Sequence, residues 1–213
     1  TIFLSAFAKF YAFCVSPNIN NIHKRLDRLL QAYKNKGVLA QKELLPALSE
    51  QGLKERCSWF PSDLPKEIIA LYTWRGGQEC NEWVEHPFFF RDTIFCDLKT
   101  SKDDYAQIVV PYAADGEEDS ELGWEYLRYS FPFTSFEGAV YVIPSQPFVI
   151  DERFERPVIL VHEGVNPVYE SLETMLDTCI EWVENATYNM EDEFLEINNE
   201  HEIWKKHNPK IFN

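Results

Sequence analysis

The histidines are the first candidates for chemistry, because an imidazole can bind a metal ion or transfer a proton near neutral pH. His201-Glu202 begins like the helix of a zinc metalloprotease, in which a second histidine four residues after the first completes the metal site. Position 205 is a lysine, and His207 falls on a different face of the same helix. The spacing therefore predicts a solvated C-terminal helix and no metal site.

The remaining candidates for catalysis are isolated in the sequence. His162 beside Glu163 follows an apolar run, where a general acid or base and the commoner hydrogen-bonded strand-end histidine are both open. Neither Cys57 nor Cys80 has a neighbouring base that would activate a thiol. The glycine-rich signatures of nucleotide-binding loops and the serine hydrolase elbow are missing. The sequence thus predicts a protein that is not an enzyme and has no catalytic, cofactor-binding or metal-binding residue.

One predicted loop concentrates carboxylates. The polar segment 113–122 holds five of them: Asp115, Glu117, Glu118, Asp119 and Glu121. Calcium loops place a glycine at the sixth position and a glutamate at the twelfth, whereas here Gly116 comes too early and position 126 is a tyrosine. Two readings stay open. One is a solvated surface loop, and the other is a partner-binding surface in which Trp124 is the aromatic anchor and the carboxylates form the rim.

Charge is distributed unevenly along the 213 residues, whose formal net charge is −15. Residues 1–60 hold nine basic and four acidic residues and carry +5, while 11 basic and 31 acidic residues after them give −20. This balance argues against nonspecific nucleic-acid binding, which depends on basic residues that neutralise phosphates. It favours a cationic protein partner, although a protein kept soluble by its charge has the same composition.

Two features bear on the cellular compartment. The five cysteines are scattered, odd in number and without zinc-site spacing, which is typical of a reduced, cytoplasmic protein. The segment Thr1–Val15 is almost entirely apolar but too short to span a membrane. We expect it to form a buried helix with Phe3, Phe7, Phe10 and Cys14 on one stripe, and a signal or membrane segment is the alternative.

Apolar residues at helical spacing predict a series of helices. The clearest spans residues 171–184, where a serine can cap the first turn. A second is capped by Ser101 and is bent or ended by Pro111. We expect the others at residues 19–35, 41–57 (in short pieces), 65–74 and 191–206.

Alternating or β-branched runs predict strands at residues 124–131, 139–143 and 157–162, and the aromatic segment 83–95 is also expected to be extended. The connections between the three strands are short, which favours antiparallel pairing. Helices, then strands, then helices make an α+β pattern. We therefore predict an antiparallel sheet flanked by helices.

Four motifs in order resemble the signature of the SUKH superfamily, also called the Smi/Knr type. The first is Phe60-Pro61-Ser62-Asp63-Leu64-Pro65 with the helix that follows it and Gly76-Gly77. The second motif is Phe95-Cys96-Asp97-Leu98. The third is Trp124 followed by Phe131-Pro132-Phe133 and the run 138–143. The fourth is Val158-Ile159 followed by Tyr169-Glu170-Ser171-Leu172 and a helix ending in Glu181-Trp182. Asn208-Pro209 also fits, and the match spans about residues 45–210.

The resemblance implies a SUKH-like α+β domain at residues 45–213, preceded by a helical extension at residues 1–44. It also implies a non-enzymatic, protein-binding role. Bacterial members are similar to immunity proteins that neutralise a toxin, often a nuclease, which would suit a cationic partner. Fungal members are linked to regulation of cell-wall glucan synthesis, and this regulatory or scaffold role is the alternative. We expect no membrane or nucleic-acid partner.

Overall fold

The computed structural model describes residues 18–38, 40–78, 89–90, 93–115, 124–146, 151–189 and 194–212. The helix expected at Thr1–Val15 lies outside this part of the chain. So do most of the extended segment 83–95 and residues 116–123 of the acidic loop.

An antiparallel sheet of five strands, paired in chain order, organises the described residues. Its strands are β1 (Ile94–Phe95), β2 (Ser130–Phe136), β3 (Ala139–Pro144), β4 (Val158–Val161) and β5 (Val165–Tyr169). Strands β2 and β3 meet at the two-residue turn Glu137-Gly138, whose φ angles of 48° and 84° are those a tight hairpin needs. A second sheet pairs β6 (Thr187–Asn189) with β7 (Phe194–Glu196).

Helices flank the sheet, so the predicted α+β fold is confirmed. They are α1 (Ile19–Asn35), α2 (Glu50–Arg56), α3 (Lys66–Trp74), α4 (Leu98–Asp104), α5 (Val110–Asp115), α6 (Leu172–Asn185) and α7 (Glu200–His207). The helices expected at residues 19–35, 65–74 and 171–184 are α1, α3 and α6. Ser171 caps α6 as predicted, because its hydroxyl accepts from the Thr174 amide while the Thr174 hydroxyl accepts from the Ser171 amide.

The strand predicted at residues 124–131 is wrong. Trp124–Tyr129 is a 3₁₀ helix, and β2 begins only at Ser130. Within this segment Leu127 is fully buried while Tyr129 is exposed, which is the spacing of a tight helical turn rather than strict alternation. The Tyr105 hydroxyl donates to the Arg128 carbonyl at 2.7 Å and holds the turn in place.

Two predicted helix starts are also wrong. Asp97, not Ser101, caps α4 by accepting from the Thr100 amide, and Ser101 is buried inside the helix, where its hydroxyl meets that of Tyr72 at 2.8 Å. Pro111 does not end the helical path, because a π-helical turn leads from α4 directly into α5. The last helix starts at Glu200 rather than at residue 191, since β7 intervenes.

Both faces of the sheet are covered, because successive residues of a strand point to opposite sides. On one face Ile143 joins the main core, which also contains the buried sides of α1, α3 and α6. On the other face Val140 and Val142 pack in a smaller cluster with Leu127 and Val109. The alternation along β3 thus separates two apolar layers.

Helix α1 belongs to the main core, although it lies in the predicted extension 1–44. Its Ile22, Leu26 and Leu29 are fully buried. Bidentate ion pairs join α1 to α6, from Arg25 to Asp177 and from Arg28 to Glu184, with closest distances of 2.8 and 2.9 Å. Such partly exposed pairs stabilise by less than about 1 kcal/mol, so the apolar contacts dominate. The division of the chain at residue 44 stays a prediction.

Candidate functional site

The acidic surface predicted from the sequence lies almost entirely outside the described residues. The backbone of Asp115 ends α5 and that of Trp124 starts the 3₁₀ helix. Glu117, Glu118, Asp119 and Glu121 fall between them, in the part of the chain that is not described. The binding role of this loop therefore stays a prediction.

The described residues form a different candidate site, a cavity of about 380 Å³ that we call the aromatic cavity. It lies where β3 and β5 meet α6 and α7. Its lining residues are Tyr141, Val168, Tyr169, Trp182, Glu200, His201 and Trp204. Binding sites for small molecules or single side chains are commonly concave, mostly apolar and supplied with a few polar groups. The size and lining of the aromatic cavity match that description.

Two indole hydrogen bonds fix helix α7 against the rest of the fold. The Trp182 indole N–H donates to the Glu200 carbonyl at 3.0 Å, which joins α6 to the first residue of α7. The Trp204 indole N–H donates to the Val168 carbonyl at 2.8 Å, which joins α7 to the edge strand β5. Since both donors bond to backbone, the tryptophans offer the cavity mainly the surfaces of their rings.

The aromatic rings pack edge to face around the cavity. The ring centroids of Tyr141 and Tyr169 are 6.1 Å apart, and those of Tyr169 and Trp204 are 6.4 Å apart. His201 lies on the rim, 6.0 Å from Trp204, one turn earlier on the same helix. On its outer side Trp204 packs against Phe212 at 4.9 Å. Such pairs restrain each other's orientation.

Asn208 locks the end of α7 to the sheet and to α6. It is fully buried, its side-chain oxygen accepts from the Glu170 amide at 3.0 Å, and its amide group donates to the Thr178 hydroxyl and the Trp204 carbonyl, each at 3.1 Å. Hydrogen bonding that satisfies a buried polar group in this way specifies one arrangement of the elements it joins.

Asn208→Ala is expected to lower the free energy of unfolding by about 2 kcal/mol, because the partly buried Glu170 amide and the buried Thr178 hydroxyl lose their partner. Urea unfolding measures the change. We also expect α7 to loosen, so the indole signals of Trp204 should broaden in the NMR spectrum. Asn185→Ala is the control, since Asn185 is exposed at the end of α6 and should change stability by less than about 0.5 kcal/mol. Equal effects of the two changes would contradict the role of Asn208.

The sequence that leads into α7 is strongly acidic. Residues 191–202 contain six carboxylates and no lysine or arginine. Of these, Glu200 lines the cavity, while Glu196 and Glu202 are exposed nearby in sequence. Acidic residues in the first turn also stabilise a helix through its dipole, so these groups have a structural role as well.

The basic residues of α7 are engaged elsewhere. Lys206 pairs with Glu181 at 2.6 Å and His207 contacts the same carboxylate at 2.7 Å. The hydrogen bond from Lys206, followed by that from His207, lowers the pKa of Glu181. Lys205 lies over the ring of Phe212, with its ammonium 5.8 Å from the centroid. Lys205 therefore makes a cation–π contact with Phe212, which does not line the cavity.

Of the candidate residues from the sequence, the two histidines described below are exposed and the cysteines are buried. His201 is exposed on α7, as expected for a solvated helix, but it also borders the aromatic cavity. His162 is exposed at the end of β4. Cys57, Cys96 and Cys179 are buried thiols outside any disulfide, and burial raises the pKa of Cys57 to about 11.

Two kinds of feature are absent from the described ranges. No group of three or more His, Cys, Asp or Glu is placed there to hold a metal ion. No helix in those ranges combines the length and the apolar character needed to cross a membrane.

The sequence did not reveal the aromatic cavity. Trp182 and Tyr169 read as fold residues within the family motifs, and Tyr141 as part of a strand. Their separation along the chain gives no sign that they meet Trp204. The one sequence signal for the cavity was a tryptophan on each of the two C-terminal helices. Trp182 directly follows Glu181, and Trp204 lies within one turn of His201 and Glu202.

Comparison with known proteins yields no relative: no protein-family model matches the chain, and no curated protein matches it. The resemblance to the SUKH superfamily therefore stays a prediction.

Proposed function

We propose that this chain is a non-enzymatic domain that binds a cationic protein. The observation that carries the proposal is the aromatic cavity, which Glu200 helps to line, on a chain whose net charge is −15. Protein interfaces place aromatic anchors in desolvated pockets and charged groups at the rim, and the cavity supplies both. The excess of acidic groups would speed the approach of a basic partner.

Within that class, the role we propose is that of a cytoplasmic immunity protein, and the partner is a basic, nuclease-type toxin. The SUKH resemblance supports this choice, since it is the role of similar bacterial proteins. An inhibitor of a nuclease has to compete with a polyanionic substrate, and an acidic surface opposite the basic active-site groups of the toxin does so directly. The strong acidity after residue 60 is in keeping with that task.

The proposal is tested by co-expression. A basic toxin-like protein encoded beside the gene for this chain should arrest growth when it is expressed alone, and growth should return when this chain is supplied. Size-exclusion chromatography with light scattering should show a complex of the two. Growth arrest that persists with no complex would contradict an immunity role. A regulator of glucan synthesis would leave toxicity unchanged.

The acidic loop gives a separate prediction about association kinetics. Changing Glu117 and Glu118 together to lysine should slow association with the basic partner and flatten its dependence on salt, while the fold is preserved. Stopped-flow mixing over a salt series measures both effects. If Trp124 is the anchor, Trp124→Ala should raise the dissociation rate instead. An unchanged rate and slope in the double lysine variant would remove the loop from the binding surface.

A further inference from the structure

We propose that Glu67 and Arg156 form a pH-sensitive contact between helix α3 and the segment that leads into β4. On acidification the Glu67 carboxylate takes up a proton from solvent, the ion pair is lost, and the Arg156 guanidinium keeps its charge without this partner. The contact is independent of the proposed function, because it involves neither the aromatic cavity nor the acidic loop. Two observations support it, the burial of Glu67 and the weak pairing of its charge.

Glu67 lies in the first turn of α3 and is almost completely buried, with the residue 4% and its side chain 6% exposed. A carboxylate that is removed from water needs hydrogen bonds or an opposite charge in place of its hydration. Glu67 accepts a hydrogen bond from its own backbone amide, one of the amides that the start of a helix leaves without an intrahelical partner. A single donor replaces only part of the hydration that burial removes, since a carboxylate can accept about four hydrogen bonds.

The pairing of Glu67 with Arg156 is weak. One guanidinium nitrogen, Nη1, approaches the carboxylate at 3.5 Å, beyond the usual length of a hydrogen bond. The Nε of Arg156 is buried and has no hydrogen-bond partner among the described residues. By contrast, each of the two arginine pairs between α1 and α6 has two bonds to its carboxylate, at 2.8–3.1 Å. The other arginine in the segment before β4, Arg153, binds Asp151 at 2.7 Å.

The surroundings of Glu67 favour its neutral form. Burial raises the pKa of Glu67 above the ordinary value of a glutamate, and the bond from its own amide and the charge of Arg156 oppose this rise only in part. The charges of Glu173, in the first turn of α6, and of Glu155, next to Arg156, add to the rise. Helix α1 contributes one more titratable group, His23, whose Nε2 lies 2.9 Å from a backbone carbonyl of α3 one turn after Glu67.

The raised pKa sets the direction of the pH effect. Above the pKa of an unfolded glutamate, about 4.3, the folded chain keeps a proton that the unfolded chain has released. The contribution of Glu67 to the free energy of unfolding is therefore fully present below that pH and is lost as the pH rises through the folded pKa. Glu181 has the opposite effect, because its pKa is lowered and its contribution is lost as the pH falls. Comparison of variants at each pH separates the part due to Glu67.

The first test follows both partners by NMR in the full chain. The side-chain carboxyl carbon of Glu67 and the Nε–H group of Arg156 are recorded across the acidic pH range. We expect Glu67 to titrate above the ordinary glutamate value, and the Arg156 signal to shift with the same midpoint because its neighbour changes charge. A Glu67 that titrates at or below the ordinary value, or an Arg156 signal that does not follow it, would overturn the proposal. No substitution is needed, so this test also decides if a variant fails to fold.

Glu67→Gln removes the titrating proton and nearly keeps the size of the side chain. Near neutral pH we expect it to raise the Tm by about 2–4 °C, because a buried and weakly paired charge is gone. The difference from the wild type should shrink in acid, where the wild type is itself neutral at this position. Glu152→Gln is the matched control, since Glu152 is exposed in the segment before β4, and its Tm should change by less than about 1 °C. A difference between Glu67→Gln and the wild type that is the same at every pH would contradict proton uptake by Glu67.

A double-mutant cycle tests the pairing itself. Arg156→Leu leaves the buried carboxylate unpaired, so its Tm should fall near neutral pH and recover in acid, where Glu67 is neutral. In the double variant with Glu67→Gln the loss near neutral pH should disappear. A coupling between the two changes that is present near neutral pH and absent in acid identifies an ion pair that a proton removes. The same coupling at both pH values would mean that the two side chains interact only by packing, and the proposal would fail.

Discussion

Replacing Leu176 by alanine should lower the free energy of unfolding by about 2–5 kcal/mol, the range for truncation of a buried leucine. Leu176 is fully buried in the middle of α6, the helix that packs on the sheet and on α1. The loss has two sources, the apolar surface that is no longer removed from water and the cavity that the rigid surroundings cannot fill. Urea unfolding followed by tryptophan fluorescence gives the value.

Leu30→Ala is the matched control for this change. Leu30 lies on α1, is only partly buried and packs at the margin of the same core. The same atoms are removed, but less surface was buried, so we expect a loss of about 1 kcal/mol. A loss of less than 1 kcal/mol for Leu176 would show that the interior of α6 is not the centre of the core.

The elements predicted correctly are those in which local and tertiary preferences agree. In α6 a capping serine precedes apolar residues at helical spacing, and both the cap and the buried face have the form that the pattern indicates. The same agreement holds for α1 and α3. In β3 the β-branched run is bounded by Gly138 and the two faces of the strand are buried in different clusters. One short pattern was sufficient in each case.

The wrong predictions fall where tertiary contacts, rather than local sequence patterns, determine the secondary structure. Residues 124–129 alternate like a strand, but burial of Leu127 and the bond from Tyr105 to the Arg128 carbonyl give a 3₁₀ helix. Strand β5 was not predicted, because Val165-Asn166-Pro167 contains a proline and a polar residue. Pro167 is tolerated there since β5 lies at the edge of the five-stranded sheet, where a strand needs its donors on one side only.

The candidate site was beyond the reach of sequence patterns for a related reason. Tyr141, Tyr169, Trp182 and Trp204 each fit an ordinary core position, and only the fold brings β3, β5, α6 and α7 to one corner. The sequence pointed instead to a run of carboxylates, because charge clusters are visible locally and aromatic cavities are not.

Gly77→Ala is expected to lower the free energy of unfolding by at least about 3 kcal/mol, or to prevent folding. Gly77 has a φ of +98°, a region that residues with a β-carbon rarely adopt. A β-carbon there would lie 2.3 Å from the Cys96 carbonyl oxygen and 2.6 Å from the Asp97 nitrogen. Both are backbone atoms, so no flexible side chain can yield, and the chain itself would have to move.

That movement would disturb several pairings at once. The Gly77 carbonyl accepts from the Leu45 amide at 2.8 Å, and the next residue, Gln78, donates its amide to the Phe95 carbonyl at 2.6 Å. The Cys96 carbonyl that the new β-carbon would meet also accepts from the buried hydroxyl of Tyr72 at 2.9 Å. The close approach of backbones at Gly77 therefore joins β1, the end of α3 and the segment before α2. Separating these segments exposes buried polar groups.

Gly37→Ala separates the steric clash from backbone strain. Gly37 has a similar φ of +82°, but nothing lies within 4 Å of the position its β-carbon would take. We expect this variant to lower the free energy of unfolding by only about 1–2 kcal/mol, the cost of holding a residue with a β-carbon in the left-handed region. Urea unfolding of the two variants in parallel gives the difference between their losses in free energy of unfolding, which measures the steric clash at Gly77. Equal losses would mean that the segments around Cys96 and Leu45 can move apart freely, and the close approach of backbones at Gly77 would then not be what holds β1 to α3.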